Sequence, residues 1–145
     1  MAERIQGLVE VTREEAILVM EAGYIHMDMG NFKAAAQVFQ GAVALLPKSE
    51  VPHLALGTLE FAQGRHEKAL QAYRQAQRVA PKAGLPRAHA GEALLFLGKA
   101  AEAEKELKAA IDLDPDGDGG KLAEALLQAK AAGALPPKQA VKAKK

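Results

Sequence analysis

Asp114-Pro115-Asp116-Gly117-Asp118-Gly119 is the stretch of this chain closest in pattern to a chemical site. It sets carboxylates at the first, third and fifth places and glycine at the sixth, as the opening of a calcium-binding EF-hand loop does. The twelfth place, where a bidentate Glu would close the calcium shell, holds Ala125. Glu124 comes one residue early and points about 100° away on a helix. The segment therefore reads as a solvated turn that brings carboxylates to the positive end of a following helix. The four histidines are His26, His53, His66 and His89. None has a histidine three or four residues away, so no helical metal pair forms. His26 is expected at a packing position, His66 on the surface, and His53 and His89 facing a groove. The chain has no cysteine, which excludes disulfides, thiol catalysis and thiolate metal sites. There is no serine elbow, no glycine-rich phosphate loop and no carboxylate pair on an apolar surface. The expectation is no catalytic residue, no metal, no cofactor and no enzyme.

Composition bounds the class further. The 145 residues suit one domain. Hydrophobic residues make up 49%, enough for a continuous core, and alanine supplies much of that share. A net charge of +1 gives no basic field for nucleic acid or an acidic membrane. In the first eleven residues, Glu3, Gln6 and Glu10 break any apolar run, so no signal peptide is read. No stretch approaches the ~18 apolar residues of a membrane span. A cytoplasmic protein is expected, with neither nucleic acid nor membrane as partner.

The elements are set by a repeat. Pro47, Pro81 and Pro115 lie 34 residues apart, as do Gly23, Gly57 and Gly91, and Gly30, Gly64 and Gly98. Ala35, Ala69 and Ala103 keep the register, with Ala42, Ala76 and Ala110; Phe39, Tyr73 and Leu107 form a bulky sixth series. Thr12 and Glu15 make a capping box for a first helix ending at Gly30, and Asn31 is expected to cap its partner over 32–46. Ser49 opens the second repeat, with Pro52 in the first turn of its helix. Its two helices end at Gly64 and about Ala80; in the third repeat Pro86 opens a helix ending near Gly98, and its partner ends around Leu113. No segment alternates with strand period, so no sheet is predicted. Glycine inside a helix costs about 1 kcal/mol relative to alanine. Three repeats accept that cost at one position, which means that the partner helix closes there, with Phe39, Tyr73 and Leu107 filling the space.

A 34-residue helix-turn-helix period with these series resembles the tetratricopeptide repeat, from about Ala16 to Pro115. The usual Trp is replaced by Val19, His53 and Arg87, and the usual Tyr by His26, Glu60 and Leu94. The resemblance implies an all-α fold: a right-handed superhelical solenoid of three helix-turn-helix repeats plus a C-terminal capping helix. The division is 1–11 as an N-terminal segment, then repeats at about 16–47, 50–81 and 84–115 within 12–115. A capping helix in 116–134 follows, carrying Leu122, Leu126 and Ala129 on one face from Lys121 to Ala132. The lysine-rich stretch 135–145 is expected to be disordered.

The first helices carry more apolar positions than pair packing needs. Ile17, Met20, Tyr24 and Met27 form one stripe; Val51, Leu54, Thr58 and Phe61 are its second-repeat equivalents; Leu85, Ala88, Glu92 and Leu95, with His89, are its third. In the tetratricopeptide superhelix these positions face the concave groove, which the resemblance therefore makes a largely apolar peptide site, with Tyr24 and Phe61 as aromatic anchors. The alternative is ordinary core under the C-terminal helix or the N-terminal segment. The carboxylate clamp of chaperone-binding tetratricopeptide proteins needs Lys, Asn and Arg where this chain has Met20, Tyr24, Ala55, Leu85 and His89. An extended apolar ligand fits better. Pro86 to Gly98 with Glu102-Ala103-Glu104 is similar to the third repeat of type III secretion translocator chaperones, and Gly30 to Gln40 to their first. That resemblance implies a protein or peptide ligand, a secreted translocator-like protein held extended in the groove, and a homodimer through the N-terminal region. Other tetratricopeptide scaffolds, needle-subunit chaperones included, share the repeat pattern.

Overall fold

In the computed structural model, which describes residues 3–4 and 10–135, seven helices run in sequence. They are α1 (Arg13–Asp28), α2 (Phe32–Leu45), α3 (Val51–Ala62), α4 (His66–Val79), α5 (Gly84–Phe96), α6 (Ala100–Leu113) and α7 (Asp118–Ala131). The expected tail beyond Leu135 lies outside the described residues. Leu135 itself packs against the C-terminal core, so the folded unit runs one residue into the stretch expected to be disordered.

The turns follow from glycine. Gly30, Gly64 and Gly98 all have φ between 75° and 78°, the left-handed region where a side chain would be strained. The amide after each glycine donates five residues back, Asn31 to His26, Arg65 to Glu60 and Lys99 to Leu94. These are Schellman closures that satisfy the last carbonyls of the first helix. At the other end of α1, the Thr12 hydroxyl accepts from the Glu15 amide at 3.2 Å and the Glu15 carboxylate accepts from the Thr12 amide at 2.9 Å. The cap expected from Asn31 is a correction. Asn31 stands at the N-cap of α2, but its side chain makes no capping bond. Arg65 and Lys99 occupy the same place in the next repeats, so the glycine turn starts these helices without a capping side chain. Ser49 is not the cap of α3 either: Glu50 stands at that place without a side-chain capping bond, and the Ser49 hydroxyl accepts from the Val51 amide at 3.2 Å one residue outside it. α5 begins two residues before Pro86, and α7 three before Lys121.

Each repeat closes as its glycine requires. A β-carbon on Gly23 would fall inside the Phe39 ring, one on Gly57 inside the Tyr73 ring, and one on Gly91 against the Leu107 side chain. Ala35, Phe39, Ala42, Ala69, Tyr73, Ala76, Ala103, Leu107 and Ala110 are all buried. Every helix packs on its chain neighbour, and α7 packs on both α5 and α6. The core is a row of three clusters, one per repeat junction. No strand was predicted, yet Glu3–Arg4 (β1) pairs antiparallel with Glu10–Val11 (β2), with Glu3 opposite Val11 and Arg4 opposite Glu10. Two residue pairs fall below the length at which a period-2 pattern can be read, and the architecture stays all-helical.

Candidate functional site

The thirteen stripe residues separate by repeat position. Met20, Leu54 and Ala88 are equivalent, and each turns toward the next repeat. Met20 packs in one cluster with Ala55 and Leu59 of α3, Leu54 with Ala90 and Ala93 of α5, and Ala88 with Ala123 and Leu126 of α7. Met27, Phe61 and Leu95, about two turns further on, do the same. Phe61 meets Phe96 edge to face with centroids 4.8 Å apart and meets His66 at 4.7 Å. Ala88 and Leu95 are fully buried, so these two third-repeat positions of the expected groove are core beneath α7. His66, expected on the surface, sits in this ring cluster, 5.0 Å from Phe96. Phe61 is therefore a junction residue, and the apolar surplus of the first helices is partly the seam between repeats.

Ile17, Tyr24 and Val51 stay exposed. With Val11, Ala16, Met20, Leu46 and the polar Thr12, Arg13, Glu21 and Ser49 they line a cleft of about 780 Å³ between α1 and the start of α3. Tyr24 rests edge-on against Phe39, centroids 5.1 Å apart, which holds its ring upright in the cleft wall. Burial raises the Tyr24 hydroxyl above its ordinary range.

Next to Tyr24 lies a polar cluster around Tyr73. Tyr73 is the one member of the bulky series with a hydroxyl. Burial, with smaller contributions from the Glu92 and Tyr24 charges and against a hydrogen bond with Thr58, pushes that hydroxyl's pKa up to about 12. His89 stacks on the Tyr73 ring (5.1 Å, 20°), and its Nδ1 lies 3.4 Å from Glu92 Oε1. Thr58, His89, Glu92 and Leu85 are all half-buried. His53 is half-buried as well, and desolvation lowers its pKa.

Sequence reasoning missed an ion-pair tie across α4, α5 and α6. Glu106 of α6 accepts from Arg74 of α4 at 2.8 Å, from Arg87 of α5 at 3.3 Å and from Gln77 at 3.4 Å. Arg87 stands where tetratricopeptide repeats carry Trp, and it bridges helices by charge in place of a ring. Glu106 and Arg74 are 19 and 13 residues from it in sequence, and no local pattern connects them.

The acidic turn does what a cap does. Asp114 Oδ2 accepts from the Gly119 amide at 3.2 Å, and Asp118 lies in the first turn of α7. A β-carbon on Gly119 would meet the backbone of Gly84 and Leu85 at 2.5 Å, so the glycines let α7 dock on the start of α5. Among the described residues no group of three or more His, Asp or Glu could hold a metal ion, and no helix is long and apolar enough to cross a membrane.

Tetratricopeptide-repeat family profiles match residues 26–95 and 87–116. The chain is a tetratricopeptide-repeat protein. Among solved structures, PcrH from Pseudomonas aeruginosa is 24% identical with a TM-score of 0.72, over 86% of this chain and 98% of that one. PcrH bound to the chaperone binding region of PopD is 25% identical with a TM-score of 0.69, over 84% and 95%. The Yersinia enterocolitica type III secretion translocator chaperone SycD, in an alternative dimer, is 24% identical with a TM-score of 0.68, over 82% and 96%. No curated protein matches the sequence significantly.

Proposed function

We propose that this tetratricopeptide protein is a cytoplasmic chaperone that holds an extended apolar segment of a secreted, translocator-like protein in its inner groove before export. The observation that carries the reading is the apolar cleft walled by Ile17, Met20, Tyr24 and Val51. It opens at helix positions that face inward in this repeat family and lacks the Lys, Asn and Arg of a carboxylate clamp. The likeness to PcrH and SycD over more than nine-tenths of their chains supports it, since PcrH has been solved with the chaperone binding region of PopD. Ile17, Tyr24, Val51, Thr58, Leu85, His89 and Glu92 are the residues that the occupant would touch. Binding requires only shape and apolar area from the protein, with no bond made or broken, so no enzymatic role is assigned.

A second reading, a scaffold subunit held permanently in a complex, draws on the bare outer face of α1, where Leu18, Ile25 and Met29 are exposed. That face would serve a homodimer equally well. Isolating the tagged protein from its own cells, with and without active secretion, separates the readings. The chaperone should bring down one aggregation-prone secreted protein, lost from the isolate once export starts. A fixed set of subunits, unchanged by secretion, would establish the scaffold and sink the chaperone.

A further inference from the structure

The groove's centre is acidic. Its cleft end carries one side chain of each sign, Glu21 and Arg13. At its centre the charged carboxylate is Glu92, 23% exposed, set among Thr58, Tyr73 and His89. Its contact is the 3.4 Å approach of His89 Nδ1, an ion pair only when the imidazole is protonated. No Lys or Arg among the described residues pairs with Glu92. Arg87, nearest in the same helix, is turned away onto Glu106. A half-buried carboxylate loses water and keeps unused lone pairs, so a cation brought to it makes a charge-assisted hydrogen bond stronger than the same bond in water. The Thr58 hydroxyl, which meets the same Tyr73 side chain, offers a further acceptor. An acidic side chain brought to the same spot would meet like charge in a poorly hydrated setting, which discriminates against it.

We infer that the groove's occupant presents a lysine or arginine side chain to Glu92, next to the apolar side chains that fill the Ile17–Tyr24–Val51 cleft. The partner class is thus an extended peptide with a basic residue beside its apolar anchors. This inference rests on the groove being a peptide site, and its test separates the two. A phage-displayed library of random linear peptides is panned on the full-length protein and on Glu92→Gln, a near-isosteric change whose folding is checked by circular dichroism. Wild-type protein should enrich apolar peptides with Lys or Arg at a fixed offset. Glu92→Gln should keep the apolar enrichment and lose the basic one. For one selected peptide, replacing the basic residue by Gln should weaken binding to wild type about tenfold in fluorescence anisotropy, and much less to Glu92→Gln. If Glu92→Gln does not fold, the peptide-side change on wild type decides alone. Apolar peptides without a basic preference, or a basic preference that Glu92→Gln leaves intact, would overturn this inference and leave the groove reading standing. Enrichment of no apolar peptide would sink both.

Discussion

At the C-terminal end, Leu122, Ala123 and Leu126 of α7 cover Ala88, Leu95 and Leu107, so the last repeat is closed. At the N-terminal end, Leu18, Ile25 and Met29 of α1 are 63%, 58% and 68% exposed. The same positions one repeat later are Pro52, Leu59 and Gln63, and two repeats later Pro86, Ala93 and Leu97. Pro52, Leu59, Pro86, Ala93 and Leu97 are buried, Leu59 and Ala93 in the clusters shared with the preceding repeat. A solenoid repeat contacts only its neighbours and its ends need caps. Among the described residues α7 caps one end, and the other end presents apolar surface.

The largest effect should come from removing the cap that exists. Ending the chain at Asp114 exposes Ala88, Leu95 and Leu107 and deletes Leu122 and Leu126. Each large apolar side chain is worth about 1.5–3 kcal/mol when buried, against about 5–15 kcal/mol for a whole domain. The cooperative thermal transition should disappear in circular dichroism. A truncated protein melting like the full chain would make α7 an appendage.

Next come the two aromatics of the inner stripe. Phe61→Ala opens the junction with Phe96 and His66, and chemical denaturation should show a loss of about 3 kcal/mol or more. Tyr24→Ala gives up an edge contact on Phe39 and should cost about 1 kcal/mol, while taking a larger share of peptide affinity. Equal losses of stability would erase the distinction between seam and groove.

Glycines sharpen the comparison inside a repeat. Gly57→Leu drives a side chain into the Tyr73 ring, and overpacking of this kind costs about 1–3 kcal/mol. A β-carbon on Gly41, mid-helix in α2, would meet nothing within 4 Å. Gly41→Ala should therefore stabilise by about 1 kcal/mol. Paired melting curves that move in the same direction would contradict the packing.

The fold was legible because packing repeats. Gly23, Gly57 and Gly91 can be read as close approaches only because the same costly residue returns every 34 positions. The site was legible in part. Groove and inter-repeat seam are adjacent faces of one helix, and apolar residues suit both. The repeat register therefore located the stripe, while the stacking of helices decided that Met20, Leu54 and Ala88 turn to the next repeat and Ile17, Tyr24 and Val51 do not. The polar centre was named only piecemeal, as Thr58, His89 and Glu92, because the Tyr73 side chain around which they gather reads as core. The Arg74–Glu106–Arg87 tie spans three helices and leaves no periodic trace.

The smallest expected effect on stability is also the most direct test of the difference between the ends. Ile25 and Leu59 hold the same place in successive repeats, the first exposed and the second buried. Leu59→Lys would place an unpaired charge against Phe39 and Ala42, in the cluster that joins α2 to α3, and should unfold the protein. Ile25→Lys puts the same charge into solvent and should leave stability within about 0.5 kcal/mol. Its effect should fall on assembly instead. If the bare face seats a second copy, wild type sediments as a dimer, its melting temperature rises with protein concentration, and Ile25→Lys abolishes both behaviours. A wild-type monomer whose fold tolerates Ile25→Lys leaves the face to a different protein. If Ile25→Lys instead destabilises the monomer as Leu59→Lys does, the chain covers that face itself, and the contrast between its two ends fails.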